Sequence, residues 1–109
     1  MQHPALFLIL SELRERLEAI YAARLRELVL FGSQARGDAQ PGSASDIDVL
    51  LVLGGPVSPY QEIARTGGVV AELSLQYDTV ISCAFASVEE WADEQSPLLL
   101  NIRREGIAA

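Results

Sequence analysis

Apolar residues recur at helical spacing at the start of the chain. Leu6, Leu10, Leu13, Leu17 and Ile20 share one face with charged residues opposite, which predicts a helix from about Ala5 to Ala22. Phe7, Leu8 and Ile9 fall outside that stripe, so the first turns are apolar nearly all round. Either this helix end is tucked under the C-terminus or it offers a patch to a partner.

The pattern then shifts to short apolar runs. Leu28-Val29-Leu30-Phe31 does not alternate and reads as a strand buried on both faces, ended by Gly32-Ser33. A helical turn, Gln34-Ala35-Arg36, and a loop of turn formers from Gly37 to Ser45 follow. A second strand runs from Asp46 or Ile47 to Leu53 and stops at Gly54-Gly55-Pro56. Ser58-Pro59-x-Gln61 carries helix-start chemistry, with Ser58 as N-cap and Gln61 closing a capping box. That helix extends to about Gln76, with Ile63, Val70, Leu73 and Leu75 as its inward positions. Gly67-Gly68 in its middle marks either a kink or a close backbone approach. Asp78 to Ala84 reads as a third strand, Ser87-x-x-Glu90 as a capping box opening a short helix with Trp91, and Ser96-Pro97 as the start of a last helix ended by Gly106. Strands alternating with helices predict an α/β domain, a single unit over residues 1–109, with a small sheet.

Composition narrows the function classes. Half of the residues are hydrophobic, which a packed core needs. A net charge of −7 excludes binding of nucleic acid through a broad basic face and is compatible with a basic protein partner. The lone Cys83 has no internal disulfide partner and sits in an apolar stretch, as a small core residue does. The apolar run Ala5–Leu10 is too short for a signal sequence or a membrane span and leads straight into charged residues. A soluble, cytoplasmic chain is expected.

Candidate chemistry concentrates between Phe31 and Val52. On a strand, residues two apart face the same way, so Asp46 and Asp48 lie side by side while Ile47 faces the core. Two adjacent carboxylates repel unless a cation sits between them, and Mg²⁺ favours one or two carboxylates together with phosphate oxygens and water. A surface role for this pair leaves unexplained why Asp48 begins an otherwise apolar strand. The Gly32-Ser33 step adds the complementary part. Glycine lets a ligand approach the backbone, and Ser33 opens a helical turn whose N–H groups and hydroxyl suit a phosphate. Arg36 reaches phosphates or pairs with Asp38 or Asp46.

Gly32-Ser33-x-Ala35-Arg36-Gly37 followed by Ser45-Asp46-Ile47-Asp48 resembles the signature of the polymerase-beta-type nucleotidyltransferases, and in particular of their minimal members. The tail from Ser96 to Gly106 shares the likeness. The segment Gln34–Ser45 is longer than is usual in the minimal members. The resemblance implies an α/β (α+β) fold with a small mixed sheet of three or more strands flanked by helices. It also implies transfer of a nucleoside monophosphate, AMP from ATP or another NTP, onto a hydroxyl with two Mg²⁺ ions. Asp46 and Asp48 match the family's metal-binding carboxylates, and Asp78 is the candidate for its third, with Glu72 a weaker substitute inside the preceding helix. Gly32, Ser33 and Arg36 match its nucleotide-binding positions. Minimal members are paired with a HEPN-domain partner, often as antitoxin and toxin, which makes protein adenylylation the first expectation. Two alternatives remain: a binding module that neutralises a partner by contact, and a small-molecule adenylyltransferase of aminoglycoside type, whose acceptor pocket a homo-oligomer would build.

Overall fold

A computed structural model describes residues 3–37, 47–93 and 95–109. The first apolar stripe forms helix α1 (Leu6–Tyr21), followed by a 3₁₀ turn (Ala22–Arg24) and strand β1 (Leu25–Phe31). Next come the short helix α2 (Ser33–Arg36), strand β2 (Ile47–Leu53), the long helix α3 (Pro59–Gln76) and strand β3 (Ile81–Ser87). Helices α4 (Val88–Ala92) and α5 (Pro97–Glu105) lead to a two-residue strand β4 (Ile107–Ala108).

The four strands make one mixed sheet in the order β3-β2-β1-β4. β2 runs antiparallel to β1 and parallel to β3, the long connection through α3 allowing the parallel pairing. Strand parity separates two cores. Leu28, Leu30, Ile47, Val49, Leu51, Leu53 and Ile81 pack with Leu6, Ile9, Leu13, Leu17 and Leu73 of α1 and α3. Val29, Leu50, Val52 and Ala86 pack on the other face with Leu99 and Ile102 of α5. β2 is therefore buried on both faces, as its continuous apolar run requires.

Several boundaries and faces differ from the sequence reading. In α1 the inward position after Leu17 is Tyr21, whereas Ile20 is exposed; Ile9 is fully buried and Phe7 and Leu8 stay exposed. The C-terminus runs beside the helix start: Leu6, Phe7 and Leu10 line an open groove with Ile107–Ala109, and Arg14 donates to the Ala109 carbonyl. On α3, Leu73 faces in and Val70 packs against the core, but Ile63 and Leu75 are exposed. The inward positions at its start are polar, Glu62 and Thr66. Glu62 accepts from the Tyr21 hydroxyl (3.0 Å), the Ser58 N–H (3.1 Å) and Arg65 (3.0 Å), so its burial leaves no carboxylate oxygen unsatisfied. Glu62 thus takes the reciprocal role at the N-cap that was expected of Gln61, and the Ser58 side chain makes no cap bond. The Ser87–Glu90 capping box and the Ser96 cap form as expected. α3 runs unbroken through Gly67 and Gly68, where an added Cβ meets nothing within 4 Å, so the pair marks neither an interruption nor a close approach.

Candidate active site

Phe31 of β1 pairs with Asp48 of β2, and the next residue, Gly32, turns the chain out of the sheet with φ +75° and ψ −155°. That combination is essentially closed to residues with a Cβ. The space is closed as well: a Cβ on Gly32 would stand 2.7 Å from Asp48 Oδ2. The glycine therefore serves two needs at once, the turn out of β1 and direct approach of its backbone to the Asp48 carboxylate. It places the Gly-Ser step beside Asp48, the second aspartate of the D-x-D motif.

Gly32 is also the N-cap of α2, with Ser33 its first residue and Gly37, at φ +78°, its left-handed C-cap. The Arg36 N–H donates to the Gly32 carbonyl (3.2 Å), which closes the turn. Gln34, buried within α2, anchors it by accepting the His3 N–H (2.8 Å). Arg36 pairs with Glu105 of α5 (3.2 Å). Both side chains are nearly half exposed, so this pair adds roughly 0–1 kcal/mol to stability. Asp46 and the loop residues 38–45 lie outside the described residues.

The third position is where sequence and structure diverge most. β3 begins at Ile81, not at Asp78. Asp78 is exposed in the turn before the strand with φ +50°, its N–H donating to the Leu75 carbonyl, while the Thr79 N–H donates to the Ser74 carbonyl. The chain from Tyr77 to Thr79 is used to satisfy the last carbonyls of α3, and aspartate tolerates the left-handed conformation that this requires. In register with Asp48 on the parallel neighbour stands Ser82. Paired residues on adjacent strands share a face, so Phe31, Asp48 and Ser82 form one row across the sheet. Ser82 is exposed, and Ile81, Cys83 and Phe85 point to the opposite face, toward α1 and α3. Glu72 is on the exposed side of α3, paired with Arg16 (2.7 Å). Among the described residues no three acidic, histidine or cysteine side chains gather into a metal-holding group.

The sequence reading does not reach Ser82. Its only signal is the alternation Ile81-x-Cys83-x-Phe85, which fixes the face but not the register against β2.

Comparison with known proteins supplies the family. The family model described as a nucleotidyltransferase domain matches residues 10–102. Among solved structures, the chain is similar to a crystal structure titled as a candidate nucleotidyltransferase from Sulfolobus solfataricus. The identity is 20%, the match covers 99% of this chain and 87% of that one, and the TM-score is 0.53. At that identity the likeness concerns the fold. No curated protein matches. Because the family model spans both the Gly-Ser turn and the β2 carboxylate, the chain belongs to the nucleotidyltransferase domain family.

Proposed function

We propose that this nucleotidyltransferase domain transfers AMP from ATP to an acceptor hydroxyl, with Asp46 and Asp48 holding divalent metal beside the Gly32-Ser33 turn. The observation that carries the reading is the approach of Gly32 to Asp48 Oδ2, where an added Cβ would stand 2.7 Å away and push the carboxylate aside. A phosphate held on the backbone after Gly32 then lies next to a carboxylate, and a cation between them relieves the repulsion. The described carboxylate fits Mg²⁺: Asp48 offers hard oxygen donors beside a turn whose N–H groups suit phosphate, and Asp46 would add a second carboxylate. When bound, two Mg²⁺ ions supply Lewis-acid activation of the acceptor hydroxyl and charge neutralisation on the leaving pyrophosphate.

The chain's own residues do the positioning. Ser33 donates its hydroxyl and backbone N–H to the terminal phosphates, and Arg36 adds a charged donor from the same turn. Asp78 is assigned as the third carboxylate, accepting the acceptor's proton at a carboxylate oxygen. Its place in the turn ahead of β3 and the register of Ser82 with Asp48 favour a second reading of this position. In that reading two carboxylates suffice and the Ser82 hydroxyl lines the acceptor side.

For biology, the reading is an antitoxin that adenylylates a HEPN-domain toxin in the cytoplasm. The exposed Phe7 and Leu8, beside the groove closed by Ile107–Ala109, support a protein-facing surface. No helix among the described residues is long and apolar enough to cross a membrane.

The test is transfer of label from the α-phosphate of ATP to the partner protein, with pyrophosphate release, in Mg²⁺ and in EDTA. Transfer that needs Mg²⁺ and vanishes in the Asp46→Asn, Asp48→Asn variant supports the proposal. Undiminished transfer by that variant rejects it. Loss on Asp78→Asn assigns the third carboxylate; full activity of Asp78→Asn with loss on Ser82→Ala selects the second reading.

A further inference from the structure

The chain has no lysine, and its eight formal positive charges are all arginines. Three of them, Arg24, Arg26 and Arg65, line one open cleft of about 660 Å³ together with Gly54, Gly55, Ser58, Gln61 and Glu62. This cleft is at the far end of the sheet from Gly32. Leu25 pairs with Leu53 at that end and Phe31 with Asp48 at the other, a strand length of roughly 20 Å. In a chain of net charge −7, such convergence calls for a physical explanation.

The guanidinium groups are held in different ways. Arg24 donates to two neutral acceptors, the Gly54 carbonyl (2.9 Å) and the Pro56 carbonyl (2.7 Å), and rests on the Tyr21 ring at 5.7 Å. It makes no direct ion pair, although Glu62 is close enough to feel its charge. Arg26 lies against Gly54, whose added Cβ would meet its Nε at 3.0 Å, and makes no hydrogen bond or ion pair among the described residues. Arg65 pairs with Glu62. Among the described residues Glu62 is the only carboxylate lining the cleft, and its oxygens already accept from Tyr21, Ser58 and Arg65. One acid therefore faces three arginines, which leaves the described lining with an excess of positive charge. The cleft also opens at the start of the 18-residue helix α3, whose N-cap hydroxyl makes no cap bond, so the helix dipole adds to the same sign.

We propose that this cleft is a second anion site that binds a phosphate-bearing small molecule, separate from the nucleotide site at Gly32. Planar guanidinium groups pair with phosphate through two parallel hydrogen bonds, and Arg24 is already oriented by its two carbonyls and the Tyr21 ring. The Ser58 and Gln61 side chains supply neutral donors at the cleft wall.

The experiment is a titration of the ¹⁵N-labelled chain in EDTA and chloride buffer, with inorganic pyrophosphate in one arm and AMP in the other. Saturable shifts at the amides of Gly54, Gly55, Ser58 and Gln61 are expected, and the tighter arm identifies free polyphosphate or nucleotide phosphate as the source. The exposed Arg26→Gln should weaken binding about fivefold or more, and Arg26→Lys should recover part of it. Asp48→Asn should leave binding unchanged, which separates this site from the catalytic proposal. Shifts confined to residues 32–37, shifts in neither arm, or an affinity indifferent to Arg26→Gln and to added chloride would each overturn it. Binding of an acidic peptide in place of both phosphate ligands would overturn it as well.

Discussion

Replacing Gly32 by alanine tests the geometry on which the active-site reading rests. Two penalties are expected, and they act on different observables. The backbone at φ +75°, ψ −155° is strained for any residue with a Cβ, which costs about 1–3 kcal/mol of stability. A domain of this size has roughly 5–15 kcal/mol to lose, so the variant should fold, with its melting temperature lowered by about 4 °C or more per kcal/mol. The second penalty is local. A new methyl 2.7 Å from Asp48 Oδ2 forces the carboxylate aside by a few tenths of an ångström or more. Misplacing a catalytic group by about 1 Å costs on the order of 100-fold in rate, so transfer should fall roughly 10- to 100-fold. Gly37→Ala is the control, because Gly37 has a comparable φ of +78° but no described residue within 4 Å of its Cβ position. Thermal unfolding followed by circular dichroism, together with pyrophosphate release at saturating ATP, separates the two effects. Gly37→Ala should lose stability with a much smaller loss of rate. If Gly32→Ala keeps full activity, or loses no more than Gly37→Ala, the claim that Gly32 exists to admit Asp48 fails.

Gly67 and Gly68 sit in an unbroken helix with open space at both Cβ positions, so each alanine substitution should raise stability by about 0.5–1 kcal/mol, read from urea unfolding; a loss would show an unrecognised packing role. Burial alone would raise the Glu62 pKa, but the Ser58 N–H, the Tyr21 hydroxyl and Arg65 outweigh it and hold the carboxyl below its ordinary 4.5. Its contribution is therefore complete above pH 4.5 and lost as pH falls through the lower folded value, so the stability gap between wild type and Glu62→Gln should shrink on acidification; a gap independent of pH would contradict this. Burial pushes the Cys83 thiol up to about 12, so the native chain should resist alkylation at neutral pH and react once unfolded in urea; rapid native labelling would contradict the burial.

Much of the fold follows from periodicity. The run Val49–Leu53 is continuous because β2 has a helix layer on each face, and the caps at Ser87 and Ser96 carry their chemistry locally. The misplaced face of α3 comes from the satisfaction of polar groups by distant partners. α3 turns Glu62 and Thr66 inward and leaves Ile63 and Leu75 out, because the Tyr21 hydroxyl, far away in sequence, makes a buried glutamate tolerable. Counting hydrophobic residues cannot find that face. Gly106 ends α5 as expected but for another reason: its φ is −71°, and what excludes a side chain is contact, 2.4 Å from an added Cβ to both the Ile102 carbonyl and Val29 Cγ1.

The candidate site was legible where its residues lie near strand ends. Gly32, Ser33 and Asp48 are close in sequence to the strand ends that carry them, and β1 and β2 are neighbours. The third position depends on the register of a parallel strand reached through an 18-residue helix, and that register brings Ser82, not Asp78, beside Asp48. The strand β4, only two residues long, is set by tertiary pairing and has no period of its own.

The central claim is that Asp48 and the Gly32-Ser33 turn together hold a metal-bound nucleotide, and Mn²⁺-dependent binding of a non-hydrolysable ATP analogue measures it without knowledge of the acceptor. Calorimetry should show binding by the wild type only with the metal present, weakened about tenfold or more in Asp48→Asn at an unchanged melting temperature. Equal affinity in the two proteins, or equal affinity with and without metal, would contradict the account.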